Sequence, residues 1–342
     1  MRALVLNRVH DLRETREPLE MVELPDPSPG EGEVLIEVSA CGVCHTELDE
    51  IEGRTPPPAF PMVLGHQVVG RVVGRGAGAS RHTRGDRVGV GWIASACGSC
   101  PHCLRGDENL CPEFRATGRD RFGGYAELMT VPERFAYPIP AAISDVAAAP
   151  LLCAGAIGYR SLRLAGIEDG QRLGLTGFGA SAHLVLKMAR HRLPRTDVYV
   201  FARSPREREF ALELGAAWAG DTGDEAPERL HAVIDTTPVW RPVVEAMRRL
   251  EPGGRLVINA IRKEDIDREC LLELDYPRHL WMEKEIKSVA NVTSRDIVEL
   301  LDLAARIGIE PEVQTYALDQ ANTAILELKE RRVRGAKVLV VR

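Results

Sequence analysis

The chain has 342 residues, of which 44% are hydrophobic and 27% charged, and its formal net charge is −6. That length suits two domains with separate cores, and the composition excludes global disorder. The acidic balance argues against a nucleic-acid partner, because such binders draw their affinity largely from neutralising phosphates. The basic runs Arg203–Arg208 and Arg331–Arg334 are short and read as exposed helix faces. No apolar stretch reaches the roughly 18 residues of a membrane span. The opening Met1-Arg2-Ala3-Leu4-Val5-Leu6-Asn7-Arg8 turns polar too soon for a secretory core, so a cytoplasmic protein with no membrane partner is expected.

The first 150 residues read as β-rich, with strands over Gly32–Val38, Val68–Gly74 and Asp86–Val90 separated by glycine-rich turns. After Cys153 the pattern changes. Strand-like Arg172–Thr176, Asp197–Phe201, His231–Asp235, Arg255–Ile258 and Glu285–Ala290 alternate with helix-like Ala182–Arg190, Pro205–Leu214 and Pro242–Leu250. This alternation predicts a parallel sheet covered by helices, with Glu251-Pro252-Gly253-Gly254 as a sharp stop between helix and strand. From Ser294 onward the expectation is a helix, a connector, a second helix over Leu318–Arg331 and a final strand, Ala336–Val341, returning to the first domain.

Seven of the eight cysteines fall between Cys41 and Cys153, and only Cys270 lies beyond. In a cytosolic chain such crowding points to metal ligation or catalysis rather than disulfides. Cys97, Cys100, Cys103 and Cys111 are spaced C-x2-C-x2-C-x7-C, which lets four thiolates converge on one ion in a closed, structural zinc shell. A second set is dispersed: Cys44, His66 and Cys153. Two thiolates and an imidazole would leave a fourth position open, as a catalytic zinc requires. Each of these residues alone is more often an ordinary core residue.

Arg172–Thr176 leads into Gly177-Phe178-Gly179-Ala180-Ser181-Ala182, a G-x-G-x-x-A turn entering a helix. Gly177 and Gly179 allow the backbone to approach a pyrophosphate at the helix N-terminus, and Ala182 allows the helix to pack closely on the sheet. The strand Asp197–Phe201 ends on Ala202, followed by Arg203, Ser204 and Arg206. No acid stands there to bind a ribose 2′-OH, and arginines suit a 2′-phosphate, so NADP is favoured over NAD. Ser204 as an N-cap with Pro205 at the first helical position is a second reading, compatible with the first.

Gly42-Val43-Cys44-His45-Thr46, Gly65-His66, the four-cysteine loop and Cys153 some twenty residues before the glycine turn occur in an order that resembles the zinc-containing medium-chain alcohol dehydrogenases, over nearly the whole chain. The resemblance implies an α/β protein. A GroES-like β-rich catalytic domain would span residues 1–153 and 295–342, with a doubly wound Rossmann dinucleotide-binding domain over 154–294. It implies two Zn2+ per chain, the catalytic one on Cys44, His66 and Cys153, with Cys41 not a ligand. It implies that Thr46 bonds the alcohol and passes its proton onward, that His45 and Lys337 touch cofactor phosphates, and that Trp92 lines the substrate pocket. An indole at Trp92 is equally well explained as core. It also implies a homo-oligomer, a tetramer or dimer, acting on a small-molecule alcohol or carbonyl.

Three positions depart from the family pattern. Gln67 follows the ligand histidine where an acid is usual, Glu47 replaces the aspartate after the threonine, and Asp49 stands at the place of a relay histidine. A neutral amide cannot act as a transient anionic ligand. Glu47 can still orient a ligand from behind. Asp49, as a carboxylate ionised at neutral pH, is a poor relay. Competing readings are a polyol or formaldehyde-adduct dehydrogenase of the same fold, a non-catalytic nucleotide-binding homologue, and a zinc-finger-like module.

Overall fold

The computed structural model describes residues 1–330 and 335–342, and the basic run Arg331–Arg334 lies outside the described residues. The chain divides into two compact units, Met1–Cys153 with Val292–Arg342, and Ala154–Asn291.

The first unit is organised on one long strand, Glu33–Val43. Val34, Ile36, Val38 and Ala40 alternate inward as a half-buried strand demands, and from Ala40 to Val43 every residue is buried. Its hydrogen-bonding edges are taken by Val68–Arg75, Leu128–Pro132 and Ala336–Val340, which all pair with it antiparallel. The final strand places Lys337 opposite Val43, immediately before Cys44. Its outer partner Val313–Ala317 runs parallel to it. The helix Ser294–Ile307 starts on a capping box in which Thr293 and Asp296 satisfy each other's backbone N–H groups.

In the second unit the described residues form a six-stranded parallel sheet. Its order is Trp218–Gly220, Asp197–Phe201, Arg172–Thr176, Leu230–Asp235, Leu250–Ile258 and Glu285–Ser288. The chain starts at Arg172–Thr176, adds strands on one side, then crosses back to the other. That reversal opens a crevice at the carboxyl ends of the strands, where dinucleotides bind in doubly wound folds. Tyr199, Phe201, Val233, Met247 and Leu256 fill the core on one face of the sheet.

One expectation needs correction. Glu251-Pro252-Gly253-Gly254 does not separate helix from strand: the helix Arg241–Arg249 passes directly into the strand Leu250–Ile258. The turn chemistry is absorbed instead by a register shift, since Leu230 pairs with Leu250 while Ala232 pairs with Arg255. Pro and Gly are tolerated in such an irregularity because ladder hydrogen bonds are already interrupted there.

Leu256 is fully buried in the second unit's core. Leu256→Ala is therefore expected to cost about 2–5 kcal/mol in denaturant unfolding of that unit while leaving the zinc content of the protein unchanged.

Candidate metal centres and cofactor loop

The four-cysteine loop is pinched at its base by a short antiparallel ladder, Ile93–Ser95 against Arg115–Ala116. Within it, backbone N–H groups already point at sulfur. Cys100 donates to Cys97 Sγ at 3.3 Å, Cys103 to Cys100 Sγ at 3.5 Å, and Cys97 to Cys111 Sγ at 3.4 Å. Cys97 Sγ lies 3.9 Å from Cys103 Sγ and 3.6 Å from Cys111 Sγ. Four sulfurs about 2.3 Å from a tetrahedral centre would stand about 3.8 Å apart, whereas a disulfide needs about 2.05 Å. Backbone N–H bonds from Ser99 and Cys100 lower the Cys97 thiol to about 6, while burial and the neighbouring sulfurs push Cys103 up to about 12. The donor set thus fits a closed zinc shell. The loop is tied to the rest of its unit by Glu108, whose carboxylate accepts the Ser294 N–H at 2.6 Å.

Cys44, His66 and Cys153 also converge, with one ligand atom from each lying within 4.8 Å of the others. Three local devices place them. Cys44 is the N-cap of the helix His45–Ile51 and accepts the Thr46 N–H at 3.4 Å. Before His66, Gly65 has φ +95°, and a Cβ there would sit 2.4 Å from the Tyr125 ring, so only glycine delivers the imidazole. Cys153 lies in the wide helical turn Leu151–Gly155, between the helices Asp145–Pro150 and Ala156–Ala165.

Glu47 joins two of the three. Its Oε1 accepts the His66 Nδ1–H at 2.7 Å and its Oε2 accepts the Cys44 N–H at 2.8 Å. Nδ1 is thereby committed, and Nε2 is turned towards Cys44 Sγ, 3.7 Å away. Tetrahedral zinc would separate such an S and N by about 3.6 Å. Charge points the same way. A hydrogen bond with Cys153, burial and the charge of Glu47 push the Cys44 thiol well above its usual range. Burial alone would lower His66, but Glu47 and then Cys44 raise it well above its ordinary value. A divalent cation held by these side chains would offset the burial and the Glu47 charge that hold the Cys44 thiol up.

In the second unit Gly177 has φ +77°, and its N–H bonds Phe201 O at 2.8 Å. A Cβ on Gly177 would meet Thr236 Oγ1 at 2.9 Å and Thr237 Cγ2 at 3.0 Å, whereas Gly179, the N-cap of the helix Ala180–Arg192, faces open space. Ala182 is fully buried against the sheet. Ala202 is buried beyond the strand Asp197–Phe201, Arg203 is exposed, and Arg208 holds both of their carbonyls, at 2.8 and 3.1 Å. Ser204 is the N-cap of the helix Pro205–Glu213, but its hydroxyl makes no cap bond.

Residues 30–141 match the alcohol dehydrogenase GroES-like domain. A probable alcohol dehydrogenase AdhA of Mycobacterium tuberculosis is 44% identical over 95% of this chain and 93% of its own length. An alcohol dehydrogenase of Geobacillus stearothermophilus is 32% identical over 99% and 98%. Among solved structures, the cobalt- and zinc-bound thermostable alcohol dehydrogenase from Pyrobaculum aerophilum superposes with TM-score 0.88 at 25% identity, covering 100% of this chain and 99% of that one. The chain belongs to the zinc-dependent medium-chain alcohol dehydrogenases. It is an oxidoreductase with a GroES-like domain and a Rossmann-like parallel sheet.

For an alcohol dehydrogenase, several positions are arranged distinctively. Gln67 is buried over Gly42, where a Cβ would sit 2.7 Å from its Cδ, and its Nε2 has no partner. Asp49 is buried and bonded to Arg54 Nε at 2.5 Å, and Arg54 also reaches Glu52. Trp92 is buried edge-on to His66, with ring centroids 5.2 Å apart at 90°. Thr46 is half-buried two residues after Cys44, and His45 is exposed. Lys337 is fully buried; its ammonium donates to Glu327 at 2.6 Å, Gln314 at 3.1 Å and the Tyr316 hydroxyl. Contact with a cofactor phosphate would require it to leave that cluster. Sequence reasoning missed Arg54 as the partner of Asp49, and Glu50, which is buried with neither carboxylate oxygen bonded. Nothing in local spacing marks either one.

Glu47→Gln removes the acceptor that holds His66, so the zinc on Cys44, His66 and Cys153 should be lost to chelators about 10–100-fold more readily, as metal analysis after dialysis would show. Because the Cys44 thiol starts protonated in the metal-free cluster, zinc added to apoprotein should release protons and bind more tightly as pH rises. Zinc titration with an indicator dye in weak buffer reads both.

Proposed function

We propose that this alcohol dehydrogenase moves a hydride between NADP and a small alcohol–carbonyl pair, with a catalytic zinc on Cys44, His66 and Cys153 and a structural zinc on Cys97, Cys100, Cys103 and Cys111. When bound, the zinc supplies a Lewis acid for the substrate oxygen and the dinucleotide accepts or donates the hydride. The chain's own residues do the rest. Glu47 fixes the face that His66 presents, and Trp92 packs against that imidazole to exclude water. Thr46 Oγ1 takes the hydrogen bond of the substrate hydroxyl and passes its proton out. Asp49 is tied to Arg54, so the proton leaves Thr46 towards solvent and not through Asp49. Gln67 contributes no charge beside the metal.

The observation that carries the NADP preference is the end of the strand Asp197–Phe201. No carboxylate stands at Ala202, Arg203 is exposed, and the Ser204 hydroxyl is not used as a cap. Together they offer a guanidinium and a hydroxyl to a 2′-phosphate and nothing to repel it.

We also infer a homo-oligomer, a tetramer or dimer. The strand Glu285–Ser288 is an exposed sheet edge with Ile286, Trp281 and Met282 uncovered, the kind of edge that soluble proteins usually cover. Among the described residues no helix is long and apolar enough to cross a membrane, and a cytoplasmic location is part of the same proposal.

Purified protein should carry about two zincs per chain and give nicotinamide absorbance changes with NADP and a panel of primary, secondary, aromatic and sugar alcohols. Cys44→Ser should abolish that turnover. Arg203→Ala should lower kcat/KM for NADP by about tenfold or more and leave NAD nearly unaffected. Turnover only on polyols or formaldehyde adducts would move the substrate class. Tight nucleotide binding with two zincs and no turnover on any substrate would defeat the dehydrogenase reading.

A further inference from the structure

The strand Leu230–Asp235 ends on a fully buried carboxylate. Asp235 Oδ1 accepts three hydrogen bonds, from Thr176 Oγ1 at 2.5 Å, Thr237 Oγ1 at 2.7 Å and Thr237 N–H at 3.2 Å. Its other oxygen accepts from the Lys263 ammonium, which also donates to the carbonyls of Thr237 at 2.8 Å and Val239 at 2.9 Å. All three ammonium donors are thus committed. Four residues on, Asp267 accepts the N–H groups of Trp240 and Arg241 at 2.9 and 2.8 Å, where the helix Arg241–Arg249 begins. Between them, the Glu264 N–H bonds Pro238 O at 2.6 Å. Residues 263–267 therefore clasp residues 237–241 along their whole length.

The near end of the clasped loop is the wall of the glycine turn. Thr236 donates its N–H and its hydroxyl to Thr176 O, at 3.0 and 2.9 Å, and the side chains of Thr236 and Thr237 stand where a Cβ on Gly177 would be. A buried ion pair gains little stability over a well-packed apolar pair of the same volume, because both charges must be desolvated. It does fix geometry, since a lysine that serves one carboxylate and two carbonyls leaves the loop one arrangement. We propose that Lys263 is a positioning residue of the dinucleotide site: through Asp235 and the carbonyls of Thr237 and Val239 it presets Thr236 and Thr237 against Gly177, so that the turn meets the cofactor already formed. The proposal rests on the reading of Gly177–Ala182 as the dinucleotide loop.

The experiment measures NADP+ and NAD+ binding by calorimetry on the zinc-loaded full chain, together with amide hydrogen exchange of the nucleotide-free protein. Lys263→Met should weaken binding of the preferred dinucleotide by about tenfold, speed exchange at residues 236–241, and leave the strand Arg172–Thr176 protected. In turnover, KM for the cofactor should rise by more than kcat falls. Lys263→Arg should recover part of the affinity, and Asp267→Asn, which loosens the far end of the clasp, should act in the same direction more weakly. Unchanged affinity in Lys263→Met overturns the proposal, whether or not exchange quickens. If Lys263→Met does not fold, Asp267→Asn decides by the same two readouts. If the unaltered protein binds neither dinucleotide, the cofactor reading itself fails, and this inference with it.

Discussion

The buried carboxylate of Glu47 is the interaction on which the first unit's chemistry turns. It bonds the imidazole of His66 with one oxygen and the backbone N–H of Cys44 with its second. Because it is fully buried, both bonds act in a medium of low polarity, where a charge-assisted hydrogen bond is strong and an unmet one is costly. Cys44 N-caps the short helix His45–Ile51, and Glu47, at that helix's third position, completes the capping box. One local motif therefore starts a helix, aims a thiolate and selects the tautomer of His66. The extra methylene that distinguishes Glu47 from the family's usual aspartate is accommodated without loss of either bond.

Around that point the sheet acts as the frame. Glu33–Val43 carries the chain to Cys44, Val68–Arg75 begins two residues after His66, and Ala336–Val340 pairs beside Val43. Cys44 and His66 therefore stand next to strands of one sheet, whereas Cys153 comes from the helical turn Leu151–Gly155. The structural-zinc loop is fastened in a different way, at its base by a short ladder and through Glu108 to the start of the helix Ser294–Ile307. A metal there needs no open position, and backbone N–H groups are already aimed at the sulfurs of Cys97, Cys100 and Cys111.

The departures from the family pattern form a consistent set once placed in space. Asp49 is not a failed relay left idle; it is half of an ion pair with Arg54 that packs the end of its helix. Gln67 packs over Gly42, which leaves room for its amide. Lys337 is turned inward onto Glu327 and Tyr316. Asp49 and Lys337 are committed to local ion pairs, and Glu47 is the carboxylate that bonds Cys44 and His66.

Spacing along the chain was enough for whatever depends on neighbours in sequence. The four-cysteine loop, the glycine turn, the helix start at Ser204-Pro205 and the strands Arg172–Thr176 and Asp197–Phe201 were legible because turns, helix starts and strand periodicity are local properties. Cys44, His66 and Cys153 were legible only through resemblance, since residues so far apart carry no spacing signal of their own. Tertiary structure alone decided what long-range packing decides. It gave Asp49 a partner in Arg54, left the Glu50 oxygens without a hydrogen bond among the described residues and turned Lys337 inward. It joined Leu250 to the strand across an irregularity at Glu251–Gly254, where turn residues had predicted a stop. It also brought Lys263 onto Asp235, 28 residues away in the chain. The reason is physical: which groups meet in the interior is fixed by the order in which the fold brings its elements together and not by the sequence around each residue.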